Sequence, residues 1–326
     1  MLEHGGNLRD AALHYGRDDW IDLSTGINPH GYPAPAPSPG AWLRLPEPDP
    51  ALLAAACAYY GATGLLPVAG TQAAIQALPR LRAPSRVAVS APSYAEHAHH
   101  WRQHGHTLRQ VPYADLAAAI DDSDVVVVVN PNNPTGETIA PARLLDWATR
   151  LRARGGWLIV DEAFGDTATA LSVATHASVP GLIVLRSIGK FFGLAGLRLG
   201  FVAAHDDLLR ALADVLGPWT ISGPAQEIAL AALADTVWQQ DTCASLRQSG
   251  DRMVRLLLAH GIASTGTPLF RWWPAAQPVA FHTHMAERGI WCRLFRDAAR
   301  GIRVGLPGSE PEWRRFEQAL HEWSNG

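Results

Sequence analysis

The stretch Val125-Val126-Val127-Val128-Val129-Asn130-Pro131-Asn132-Asn133-Pro134-Thr135-Gly136 decides the fold. Five consecutive β-branched residues with no polar alternation describe a strand buried on both faces, the signature of a parallel sheet covered by helices. The abrupt change to Asn, Pro and Gly then marks a rigid turn at the strand's carboxyl end. Outward from this run the same rhythm repeats. Leu65–Val68, Val87–Ser90, Leu108–Val111, Trp157–Val160, Leu182–Leu185 and Leu199–Ala203 are further short apolar strands, with helical stretches such as Ala51–Tyr60, Leu116–Ile120 and Ala142–Arg154 between several of them. Seven strands alternating with helices predict an α/β domain with a mostly parallel sheet.

The flanks differ. Asn7 stands where it can cap a helix over Leu8–Tyr15, and the prolines at 33, 35, 37 and 39 predict an extended connector. Beyond Ala204, helices are expected at Asp206–Leu216 and Ala225–His260, the second long and bent. Strands are expected at Phe270–Trp273 and Ile302–Gly305, and helices near Pro278–Arg288 and Glu310–Trp323. The expected division is an N-terminal arm, 1–40, packing on the small domain; a large domain, 41–215; and a small α+β domain, 216–326.

Ligands of open α/β sheets sit beyond the carboxyl ends of the strands, and four of these strands end in unusual polar residues. Val68 leads to Ala69-Gly70-Thr71-Gln72, Val129 to the Asn-rich turn, Val160 to Asp161-Glu162-Ala163-Phe164, and Leu185 to Arg186-Ser187-Ile188-Gly189-Lys190. The chain has 27 Lys plus Arg, and Lys190 is its only lysine. Guanidinium keeps its proton near neutral pH and cannot serve as an amine nucleophile, so a lone lysine at a strand end points to amine chemistry.

These segments resemble the fold type I pyridoxal-phosphate enzymes, the aspartate aminotransferase-like superfamily. The resemblance rests on Asn133-Pro134-Thr135-Gly136, Asp161-Glu162-Ala163-Phe164, Ser187 to Lys190, and Arg198. It implies pyridoxal 5'-phosphate as cofactor and homodimeric assembly. Lys190 would link to the cofactor aldehyde and shuttle protons, Asp161 would face the pyridine nitrogen, and Asn133 would donate to the ring's phenolic oxygen. Tyr94 would stack on the ring, and Gly70, Thr71, Gln72, Ser187 and Arg198 would hold the phosphate. Phe164 replaces a tyrosine usual in transaminating relatives, and Leu45-Pro46-Glu47-Pro48 replaces a segment that usually donates a tyrosine across the dimer.

The segments His4-Gly5-Gly6-Asn7-Leu8, Asp22 to Pro29, Gly289 to Arg293 and Gly301 to Gly308 resemble the threonine-phosphate decarboxylase family of cobalamin biosynthesis. That resemblance implies loss of CO2 from L-threonine O-3-phosphate to give (R)-1-amino-2-propanol O-2-phosphate. Arg293 and Arg303 would meet the substrate's anionic groups, while His4, Gly26 and Asn28 close over it and Asn133 lies beside it. A histidinol-phosphate-type aminotransferase is the alternative that the core motifs share.

Composition narrows the partners. A net charge of −3 gives no basic footprint for nucleic acid or an anionic membrane, and no apolar run approaches the roughly 20 residues of a membrane helix. Three dispersed cysteines and an N-terminus without a signal-like region lead to the expectation of a cytoplasmic protein. His97, His99, His100, His104 and His106 raise a metal site as a competing reading, but no cysteine and only Glu96 accompany them. No metal is expected.

Overall fold

The apolar runs assemble into one large sheet in the computed structural model, which describes residues 4–297 and 299–324. Residues 1–3 of the expected arm, and 298, 325 and 326 of the expected C-terminal domain, lie outside the described residues. After a two-residue strand β1 (Ile21–Asp22), the chain supplies β2 (Leu65–Val68), β3 (Arg86–Ala91), β4 (Thr107–Pro112), β5 (Val125–Val129), β6 (Trp157–Asp161), β7 (Leu182–Ser187) and β8 (Gly200–Ala203). Strands β2 to β8 form a seven-stranded sheet in the order β2-β8-β7-β6-β5-β3-β4. Only β8 runs against its neighbours, antiparallel to both β2 and β7.

The valine run behaves as its composition demands. All five residues of β5 are buried, and the period-2 alternation of a strand divides them between two cores. Val126 and Val128 join Leu144, Trp147 and Leu151 of the helix Pro141–Arg152 on one face. On the other, Val125 and Val127 join Ile75 and Trp101. Each such side chain contributes about 1.5–3 kcal/mol by leaving water, which is why β5 contains no polar residue.

The C-terminal strands β9 (Thr265–Thr267), β10 (Phe270–Pro274), β12 (Arg293–Phe295) and β13 (Gly301–Val304) form an antiparallel sheet in the order β12-β13-β10-β9. The remaining strand, β11 (Ile290–Trp291), pairs in parallel with β1. The N-terminal arm is thereby tied to the C-terminal part of the chain.

Two local expectations are corrected. The single bent helix over 225–260 is two helices, Gly223–Ala234 and Thr236–Ala259. Asp235 adopts φ −85° and ψ 81°, and its carboxylate accepts from Trp238 N, so it breaks the first helix by capping the second. Asn7 precedes the helix Leu8–Tyr15 but makes no side-chain cap. Its Oδ1 accepts instead from the Trp291 indole at 3.0 Å.

Candidate active site

The carboxyl ends of β5, β6 and β7 and the turn after β2 converge on one cleft. Gly70, Thr71, Gln72, Tyr94 and Asn133 line it from one set of turns; Asp161, Phe164, Ser187, Lys190 and Arg198 line it from the others. Parallel topology brings these segments together, since every crossover returns the chain to the same edge.

Asp161 ends β6 and is buried. Its Oδ1 accepts from Ala163 N at 3.0 Å, and its Oδ2 lies 2.9 Å from His97 Nε2, also buried. Against a carboxylate this imidazole nitrogen donates. The turn below Asp161 is braced by Arg186, whose guanidinium donates to Glu162 at 2.5 Å and Asp166 at 2.7 Å in the interior.

Burial pushes the Lys190 amine down to about 8, and the positive charge of Arg303 pushes in the same direction against the pull of Asp161. Lys190 Nζ donates to Thr25 O at 3.4 Å and lies 5.3 Å from the Phe164 ring centroid. Phe164 packs edge-on against Phe270 at 4.9 Å, and Arg303 lies over Phe270 at 5.3 Å. Arg303 is itself buried. It donates to Asn133 Oδ1 at 2.5 Å and to Ser24 O, while its Nε has no partner. No carboxylate lies within ion-pair distance of it among the described residues. Burial first, and then neighbouring Arg293, lowers its pKa to about 9. Arg293 faces Arg303 across the β12–β13 register.

Gly70 has φ +70°, and a Cβ there would lie 2.6 Å from Arg198 Nη2. The left-handed φ favours glycine here, and a side chain would also push the guanidinium away from the backbone. The helix that follows begins at Thr71 without a side-chain cap, leaving amide hydrogens for an anion. Ser187 Oγ accepts from Gly189 N. An anion cradle at one end of the cleft, with an amine and a buried carboxylate beyond it, fits the phosphate, aldehyde and ring nitrogen of pyridoxal phosphate. Tyr94 donates to Gln72 Oε1 at 3.2 Å, and burial raises its phenol to about 12.

The arm residues take several positions. Gly26, at φ +63°, lies so close to Phe164 that a Cβ would meet its ring at 3.3 Å. Asn28 is buried, with Nδ2 donating to Phe191 O and Oδ1 accepting from His30 N. Its side chain is thus satisfied within the loops and holds the arm against the lysine segment. His4 Nε2 lies 2.7 Å from Glu96 Oε1. Of the histidine group, His97 serves Asp161, His100 meets Glu96, and His104 and His106 bond backbone carbonyls. The sequence reading missed His97 as the partner of Asp161. Its residue type gave no sign of this partner; the phase of the helix Ala95–Gln103 turns it toward Asp161.

Between residues 18 and 312 the chain matches the model of aminotransferase class I and II. The chain belongs to the class I and II aminotransferase family. A threonine-phosphate decarboxylase of Pseudomonas aeruginosa is 51% identical over 98% of this chain and 97% of its own length. One from a Sinorhizobium species is 45% identical over 98% of this chain and 97% of its own length. The histidinol-phosphate aminotransferase of Sinorhizobium meliloti, solved with pyridoxal-5'-phosphate, superposes with a TM-score of 0.84 at 23% identity, covering 99% of this chain and 95% of the other. That likeness establishes the aminotransferase fold. No helix among the described residues is long and apolar enough to cross a membrane.

Proposed function

We propose that this family member is a pyridoxal-phosphate-dependent threonine-phosphate decarboxylase, converting L-threonine O-3-phosphate to (R)-1-amino-2-propanol O-2-phosphate and CO2. The observation that carries the reading is 51% identity, over nearly the whole of both chains, to a protein of that name. The product suits the nucleotide loop of cobalamin.

Gly70, Thr71, Gln72, Ser187 and Arg198 would hold the cofactor phosphate, Tyr94 would cover the ring, and Asp161 would keep a proton on the ring nitrogen. His97 and the Ala163 amide orient Asp161 for that task. When bound, the cofactor supplies the covalent anchor for the substrate amine and the sink for the electron pair that CO2 leaves behind. Lys190 delivers a proton to the substrate Cα, a role suited to an amine whose pKa near 8 lets it exchange protons under working conditions. Phe164 adds no hydroxyl near the phenolic oxygen and instead supports Phe270 beneath Arg303.

Which bond at Cα breaks would depend on how the substrate is oriented against the bound cofactor, so the residues gripping the substrate would choose the reaction. Arg303 and Arg293 are cations on adjacent strands, suited to the carboxylate and phosphate of a doubly anionic substrate. His4 and Gly26 close the mouth from the arm. Trp42, Leu43, Leu45 and Trp219 are large apolar side chains left exposed, which supports homodimer assembly; light scattering at micromolar concentration tests it.

Incubation with threonine phosphate and no keto acid is expected to release one CO2 and one amine product per turnover. A requirement for 2-oxoglutarate, with no CO2, would return the reading to an aminotransferase.

A further inference from the structure

One buried carboxylate beside the cleft has no part in the reaction described above. Glu96 stands in the first turn of the helix Ala95–Gln103. Its Oε1 accepts from His4 Nε2 at 2.7 Å, and its Oε2 meets Gln72 Nε2 at 2.7 Å and His100 Nε2 at 3.0 Å. Gln72 in turn receives the Tyr94 hydroxyl. On the other side of His4, Gly6 N donates to Ser24 Oγ at 2.7 Å, and Ser24 Oγ donates to Asp22 Oδ1 at 2.6 Å. Gly5 lies so flat on this support that a Cβ would fall 2.5 Å from Ser24 O. The segment 4–6 is therefore a strap. One end is fixed to the β1 segment and the other to a helix of the large sheet, and His4 lies between them with its side chain half exposed.

We infer that Glu96 is a positioning residue that latches the N-terminal arm across the cleft by holding His4, and so sets how tightly the anionic substrate is retained. The two attachments belong to different parts of the molecule, which is what a closure needs and a simple helix cap does not. Burial raises the Glu96 pKa, but hydrogen bonds from Gln72, His4 and His100 outweigh it and lower the net value, keeping the carboxylate ionised as a latch requires.

The inference rests on the proposed reading of the cleft, so its test has an arm that needs no turnover. Hydrogen–deuterium exchange of the peptide covering residues 5–16 is measured on the holoenzyme without substrate, for the parent, Glu96→Gln, Glu96→Ala, His4→Ala and the double alanine variant. Loss of a charge-assisted bond is expected to speed exchange about tenfold in both single alanine variants, with Glu96→Gln between them and the parent. KM for threonine phosphate is expected to rise about tenfold in Glu96→Ala with its kcat within about twofold, and the double variant should have a KM no higher than either single one. Unchanged exchange in Glu96→Ala and His4→Ala overturns the latch, as do single-variant KM effects that multiply in the double variant. A parent enzyme that shows the exchange pattern but releases no CO2 would sink the functional reading alone.

Discussion

Replacing Lys190 with methionine should make the cofactor-free protein more stable, even as it is expected to abolish turnover. The folded state holds this amine at about 8 against an ordinary 10.5. The unfolded chain therefore binds more protons between those values, and stability rises with pH across that window. Below pH 8 the whole cost of the buried charge applies; at 1.36 kcal/mol per pH unit it is about 3 kcal/mol. Methionine has similar length and no charge, and forfeits only the 3.4 Å bond to Thr25 O. With an unfolding entropy of about 2.1 cal/mol/K per residue, the gain is about 5 °C in Tm at pH 7. At pH 9.5 the amine is already neutral in the folded state, and the advantage falls to about 1.4 kcal/mol, or about 2 °C. Paired thermal melts of both proteins at the two pH values measure this directly. A variant no more stable than its parent at pH 7, or a gap that does not narrow by pH 9.5, refutes the argument that burial beside Arg303 depresses the amine.

Gly70→Ala should weaken pyridoxal-phosphate binding by at least about tenfold, because φ +70° strains any residue with a Cβ and that Cβ, 2.6 Å from Arg198 Nη2, would displace the guanidinium from the cradle; titration by absorbance reads it, and unchanged affinity removes the cradle. Arg303→Met should raise KM for threonine phosphate by about tenfold to a hundredfold through loss of a charged hydrogen-bond donor, and steady-state kinetics without a keto acid measures it. Arg186→Met should cost about 3–5 kcal/mol in denaturant unfolding, since it strands the buried Glu162 and Asp166 carboxylates. Equal stability would show that those carboxylates take up protons at little cost.

What could be read from the sequence, and what could not, divides along physical lines. The unbroken Val125–Val129 run and the Leu182–Leu185 run revealed their strands because two-sided burial leaves no room for polar residues. The polar strand ends revealed the cleft because a parallel sheet returns each crossover to one edge, so four separate motifs had one place to meet. The break at Asp235 was hidden inside an Ala- and Leu-rich window, where a single aspartate that caps the next helix looks like one more exposed charge. Pairings between distant side chains were also hidden. Asp161 and His97 are 64 positions apart and Arg303 and Asn133 are 170 apart, and contact depends on helical phase and sheet register together. A histidine at position 97 looks the same in sequence whether it serves a metal, a cap or a carboxylate; only the helix phase that turns it toward β6 decides. The same reasoning explains Arg303. By residue type alone an arginine in a strand looks like surface charge; the family resemblance singled out Arg303, and the register of β10 and β13 places it over Phe270. Burial without a carboxylate then makes an anionic substrate the partner that best offsets its desolvation. The proposed reacting groups announce themselves by residue type, whereas the contacts of the groups proposed to grip the substrate are defined by register.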